Sequence, residues 1–149
     1  MSWNDDTFGI VRKAKEVKVF STGATWGMKL SQLARQSGVV RIQTYSLPRM
    51  EYVRSIFEKR PNGIFLLCHS KFRELAIQIK SVFPAIEIAV HPATHAKIVL
   101  IEPETTYVGS ANFGHSNWLE AEVGIRNKDI HDWMLIRFNS AFMEAEKIA

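Results

Sequence analysis

Cysteine is almost missing from this chain. The one thiol, Cys68, excludes an internal disulfide and any cysteine-built zinc module, and it suits a reducing compartment. Long apolar runs are missing too. No stretch approaches the ~18 residues that a membrane span requires, and the opening MSWNDDTFGI lacks the pattern of a secretory leader. The expectation is a cytoplasmic protein with no stable membrane association. With 5 prolines and 8 glycines, the composition fits neither collagen nor low-complexity disorder. Repeats and linker-like stretches are lacking, so the 149 residues read as one domain, 1–149, long enough to bury a core. Acidic residues are in slight deficit, 15 against 19 Lys and Arg, for a net charge of +4. That balance suits a polyanionic partner, either nucleic acid or an anionic lipid surface.

What is present is an alternation of β-rich runs with helix-period stretches. Asp5 or Asp6 caps a short helix reaching about Glu16, and Val17 to Phe20 reads as a strand. A helix is expected over Met28 to Gln36, with Leu30, Leu33 and Ala34 on one face and Gly38 as its stop. The strand Val39 to Leu47 follows. Pro48 then opens a helix whose stripe of Tyr52, Val53, Ile56 and Phe57 runs to the turn at Pro61-Asn62-Gly63. Gly63 to His69 is apolar throughout, like a strand buried on both faces. Phe72 to Phe83 reads as a helix, IEIAV, HAKIVLIE, TTYVGSAN and AEVGI as four strands, and Asp129 to Ala145 as a last helix. Strands alternating with helices imply an α/β layered sheet. Leu30 to Val39 has the look of the first half of a helix-turn-helix, but the VVRIQTY that follows is β-branched and alternating, so a core helix leading into a strand is expected.

The most specific feature is THAKIVLIEPETTYVGSAN, residues 94–112. It contains His95-x-Lys97, four residues, Glu102, six residues, Gly109-Ser110, and then Asn112. This resembles the HKD signature of the phospholipase D superfamily, H-x-K…D…G-S-x-N, with every spacing kept and Glu102 in the aspartate position. The order of strands and helices, and the strand ending in Tyr45-Ser46, are similar to the small single-motif bacterial endonucleases of that superfamily. The resemblance implies a phospholipase D-like mixed sheet flanked by helices on both faces.

The residues themselves support the motif. Side chains alternate along a strand, so His95 and Lys97 share a face. A type I turn with Pro103 at its second position pairs Ile101 with Thr106, which sets Lys97 opposite Ser110 and His95 opposite Asn112. The expected cluster suits attack on a phosphodiester: a neutral imidazole as nucleophile, Lys97 as positive charge, Ser110 and Asn112 as hydrogen-bonding groups. A second histidine must protonate the leaving oxygen and activate water. The family supplies it from a second motif, and this chain has one. The expectation is therefore a homodimer in which His95 faces His95 of its partner. About ten positions beyond Gly-Ser-x-Asn the family has an acidic residue that fixes a histidine tautomer. Glu120 aligns best with it, and Glu122 is the alternative. Glu102 falls on the opposite strand face from His95 and too far along to touch phosphate, so it is expected to anchor the turn or to pair with a buried cation.

Other polar residues receive plainer readings. His91 and His95 have the spacing of a zinc pair without the cysteines, so no metal or other cofactor is expected. His69 and His131 are read as structural or exposed, while His115 and Asn117 lie close enough to the motif to meet substrate, and Trp118 is read as stacking a base or simply packing. Three functions follow: a metal-independent phosphodiesterase on nucleic acid, with DNA favoured over RNA; a phospholipid phosphodiesterase; and a catalytically weak nucleic-acid-binding dimer. The first is the leading expectation.

Overall fold

A computed structural model of the chain describes residues 12–14, 16–21, 35, 37–114 and 118–149. The helix expected from Asp5 or Asp6 begins outside these residues, and it does not reach Glu16: residues 12–14 have no regular structure and Glu16 already belongs to a strand. The one over Met28 to Gln36 also lies outside them, apart from Arg35, which is helical.

The described residues form one eight-stranded sheet with three α-helices. In chain order the elements are β1 (Glu16–Ser21), β2 (Val40–Gln43), α1 (Met50–Phe57), β3 (Ile64–His69), α2 (Arg73–Val82), β4 (Glu87–His91), β5 (Ile98–Ile101), β6 (Thr105–Gly109), β7 (Ala121–Arg126), α3 (Lys128–Glu144) and β8 (Glu146–Ile148). A single 3-10 turn, Ser70–Phe72, precedes α2. Across the sheet the strands run β1-β7-β6-β5-β2-β3-β4-β8. Only the β2–β3 and β3–β4 pairs are parallel, and the remaining five pairs are antiparallel. The sheet is therefore mixed.

The run Gly63 to His69 contains no alternation because both its faces are covered. Ile64, Leu66 and Cys68 join the larger core beneath α1 and α2, whereas Leu67 joins the smaller core beneath α3. Helices thus flank the sheet on both faces, as the sequence implied. Phe57 centres the larger core, stacked on Phe113 and edge-on to Phe83, each at 5.6 Å. Gly63 closes the Pro61-Asn62-Gly63 turn with φ of +69°, a backbone that side chains rarely adopt. Asn127 caps α3 by accepting from Ile130 N at 3.0 Å.

Four expectations need correction. The strands HAKIVLIE and TTYVGSAN are shorter, with β5 starting at Ile98 and β6 ending at Gly109, so His95, Lys97, Ser110 and Asn112 lie outside them. The strand over Val39 to Leu47 is shorter, ending at Gln43. Thr44 N and Tyr45 O still bond to β3 beyond that point, but the backbone then turns toward α1. Residues 146–148, left unassigned by periodicity, form β8 on the outer side of β4, a strand too short to show a pattern. The β5–β6 register is also shifted by one: Ile101 pairs with Thr105, not Thr106. The connecting loop is only Glu102-Pro103-Glu104, with a cis Glu102–Pro103 bond, and Glu102 is held to the β2 side by its N–H donating to Val39 O.

Cys68 is fully buried in the larger core, and burial pushes its thiol up to about 12. Since the thiolate is the reactive form, native protein should react with a disulfide reagent at pH 8 about 100-fold more slowly than protein unfolded in urea. Equal rates would mean that β3 is exposed.

Candidate active site

Every strand that contributes to the site ends or begins at one edge of the sheet. The carboxyl ends of β2, β3 and β4, the start of β5, the end of β6 and the start of β7 all meet there. This is the edge at which open α/β sheets place their ligands. His95 and Lys97 lie just ahead of β5, Ser110 and Asn112 just beyond β6, and Glu120 just before β7.

The structure brings His95 and Lys97 into contact, with Lys97 Nζ 3.2 Å from Nδ1 and 3.4 Å from Nε2 of the imidazole. Which ring nitrogen accepts from the ammonium depends on the tautomer of the imidazole. The ring of Tyr45 packs against His95 at 5.4 Å. Asn112 reaches the same residue: its Oδ1 accepts from Tyr45 N at 3.1 Å and Ser46 N at 3.2 Å, with Thr44 Oγ1 also at 3.2 Å. Its NH2 is left as the group that can donate outward.

Ser110 and Glu120 form a second pair. The Ser110 hydroxyl donates to the Glu120 carboxylate and accepts from Ala121 N at 3.0 Å, while Ser110 N donates to Ala121 O at 3.0 Å. Glu120 is thus tied to the start of β7 and the end of β6 through Ser110. Glu122, the alternative, is only 1% exposed, and its charge acts on Tyr107, whose hydroxyl is raised first by burial and then by Glu122 and Glu16.

The strand alternation expected to align Ser110 and Asn112 with Lys97 and His95 does not operate. In the observed register Lys97 sits opposite Gly109, whose N–H donates to Lys97 O at 3.3 Å. What gathers the cluster is the departure of the chain from β6 after Gly109. That glycine is required by contact. A Cβ there would lie 2.4 Å from Ala121 O and 2.8 Å from Glu122 Cα, both backbone atoms of the neighbouring strand.

Glu102 lies at the other end of β5 and pairs with Arg41 of β2 at 2.7 Å. Of the two supporting contacts expected for it, the pair with a largely buried cation is present. Beside it an open cleft of about 570 Å³, lined by Arg35, Ser37, Gly38, Pro103 and Arg126 among others, shares no residue with the His95 cluster.

Sequence reasoning did not place His69 and His91 side by side. They end neighbouring parallel strands as register partners, and the His69 ring packs 4.8 Å from that of Tyr45. Their separation in sequence hid this, and the ends of two buried runs read as parallel neighbours would have been the signal. His131 is buried on α3 beside Asp132, whose carboxyl is held down by Lys128 and by His131 itself. His115 and Asn117 lie outside the described residues, and Trp118 is exposed. No group of three metal-ligating side chains occurs among the described residues, and no helix there is long and apolar enough to cross a membrane.

A scan against protein-family models finds no match, nor does a search of curated proteins by sequence. Solved structures do match, and they show the fold. The fold is that of a phospholipase D family member, Nuc from Salmonella typhimurium, with a TM-score of 0.75 and 16% identity over 89% of this chain and 97% of that one. NucT from Helicobacter pylori matches with a TM-score of 0.71 and 13% identity, over 88% of this chain and 99% of that one. The archaeal chromatin protein TrmBL2, described as having a novel mode of DNA binding, matches over 99% of this chain but 57% of its own length, with a TM-score of 0.64 and 12% identity.

Two substitutions check this construction. Gly109→Ala should lower stability by about 1–3 kcal/mol, because β6 and β7 must separate to admit the methyl group. Asn112→Ala should cost about 1–3 kcal/mol by leaving the Tyr45 and Ser46 N–H groups without their acceptor. Asn112→Asp keeps that acceptor and should unfold close to the parent urea midpoint. Urea titrations read all three, and an Asn112→Asp as unstable as Asn112→Ala would refute the anchoring role.

Proposed function

We propose that this chain is a metal-independent phosphodiesterase that hydrolyses nucleic acid, DNA in preference to RNA, through a covalent intermediate on His95. The observation that carries the proposal is the contact of His95 with Lys97 at the carboxyl edge of a phospholipase D-like sheet, beside Asn112 and the Ser110–Glu120 pair. The chain's net charge of +4 suits the substrate.

A lone pair of the neutral His95 imidazole attacks phosphorus in line, and the bond from phosphorus to the leaving oxygen breaks. Lys97 and the Asn112 NH2 stabilise the charge on the nonbridging oxygens. The leaving oxygen takes a proton from a second imidazole. With one motif per chain, that group is His95 of a second copy, and the site is completed by a homodimer about a two-fold axis. The same imidazole then removes a proton from water as its oxygen displaces the histidine nitrogen from phosphorus, restoring both rings. Ser110 and Glu120 act as positioning residues at the rim.

The deciding experiment is cleavage of single- and double-stranded DNA and RNA in excess EDTA, with His95→Ala alongside. Cleavage should survive EDTA and fall by about three orders of magnitude or more in the variant, a loss of the size expected for a nucleophile. Activity abolished by EDTA would overturn the mechanism. Hydrolysis of phospholipid vesicles with none of nucleic acid would overturn the substrate.

A further inference from the structure

His69 and His91 stand side by side at the ends of β3 and β4, in register with each other. Neighbouring strands lie about 4.8 Å apart, so the two side chains leave the sheet edge as neighbours. Each ring is fixed in the same way. His69 Nδ1 accepts the backbone N–H of Lys71 at 3.0 Å, and His91 Nδ1 accepts that of Ala93, also at 3.0 Å. A ring nitrogen that accepts an N–H carries no proton, so the neutral imidazole places its own hydrogen on Nε2. Both rings thus present Nε2–H as a donor, and both are partly exposed.

That tautomer decides what the pair can bind. A cation needs a lone pair on Nε2, which a protonated nitrogen lacks, whereas an anion can accept from both Nε2–H groups. Lys71, exposed two residues beyond His69, adds positive charge. Tyr45 ties the pair to the site, since its ring packs against both His69, at 4.8 Å, and His95, at 5.4 Å.

We propose that His69 and His91 form a second phosphate subsite, which grips a phosphodiester of the same polynucleotide strand adjacent to the one attacked at His95. The inference rests on the nuclease reading and extends it, because a subsite for a neighbouring phosphate favours a polymer over an isolated diester. The two rings bind substrate without touching the reacting phosphorus, so their contribution is to affinity.

The test separates binding from turnover. In a His95→Ala background, which leaves the strand intact, a fluorescein-labelled single-stranded deoxyribo-oligonucleotide is titrated and followed by anisotropy. Adding His69→Ala and His91→Ala should weaken binding about tenfold, a loss of the size expected for two hydrogen bonds to a charged oxygen. His69→Gln with His91→Gln, which retains N–H donors, should recover part of it. With His95 intact, hydrolysis of bis(4-nitrophenyl) phosphate, a single diester, should be unchanged by the double alanine variant. Unchanged oligonucleotide affinity would overturn the subsite, as would an equal loss toward the small diester, which would mean that the rings only prop the active site. A protein that binds through these histidines but cleaves nothing would retain the subsite and lose the nuclease reading. Cleavage by a protein whose binding ignores them would do the reverse.

Discussion

The candidate site depends on one side-chain oxygen, Oδ1 of Asn112. In the sheet, β5 lies between β6 and β2, so the chain leaving β6 has to cross the start of β5 to reach the end of β2. Asn112 makes that crossing and accepts from Tyr45 N and Ser46 N on the far side. Phe113 then plunges into the larger core against Phe57, while its N–H donates to Thr44 Oγ1 at 2.8 Å. A polar knot thus sits directly on an apolar anchor. The start of β5, with His95 and Lys97, is framed beneath it, and the Tyr45 ring is set against the imidazole. Without the knot, the two loops would be tethered only by the ends of their strands.

The far end of β5 is held by a different device. Glu102 pairs with Arg41, whose side chain is only 13% exposed and also lies over the Phe65 ring at 5.3 Å. Leaving such a guanidinium unpaired is costly, so the carboxylate is constrained in position more than in chemistry. The extra methylene of glutamate is absorbed there, at the edge of the sheet away from the histidine. Glu102 therefore fastens β5 to β2 at the end of the strand opposite His95.

Much of this was legible in the sequence, for a physical reason in each case. Gly63 to His69 advertised a doubly covered strand through its unbroken apolarity, and Tyr52, Val53, Ile56 and Phe57 advertised a helix through their period. The spacing from His95 to Asn112 put these residues at one end of the β5–β6 hairpin, though not through the strand pairing expected of it. The hairpin register was not legible, because loop length depends on which strand claims Glu102, a tertiary competition between β2 and the turn. Nor was the proximity of His69 and His91 to the site, since 22 positions of sequence and a whole helix separate two residues that are neighbours only once β3 and β4 lie parallel. Asn112 was read as a ligand for phosphate, and its backbone anchoring emerges only when Thr44 to Ser46 are seen across β5.

The short strand β8 bears on a different matter, the tendency of sheets to grow. An eight-stranded sheet has two outer strands that can recruit foreign backbone. On the β4 side that opportunity is blunted. β8 is only three residues long, its Glu146 is engaged by Arg73 at 2.7 Å, and its Lys147 ammonium caps carbonyls at the end of α3. The flank is too short and too charged to template another strand. Among the described residues, the opposite flank is the six residues of β1, with Val19 75% exposed, and it is the longer and more apolar of the two outer strands.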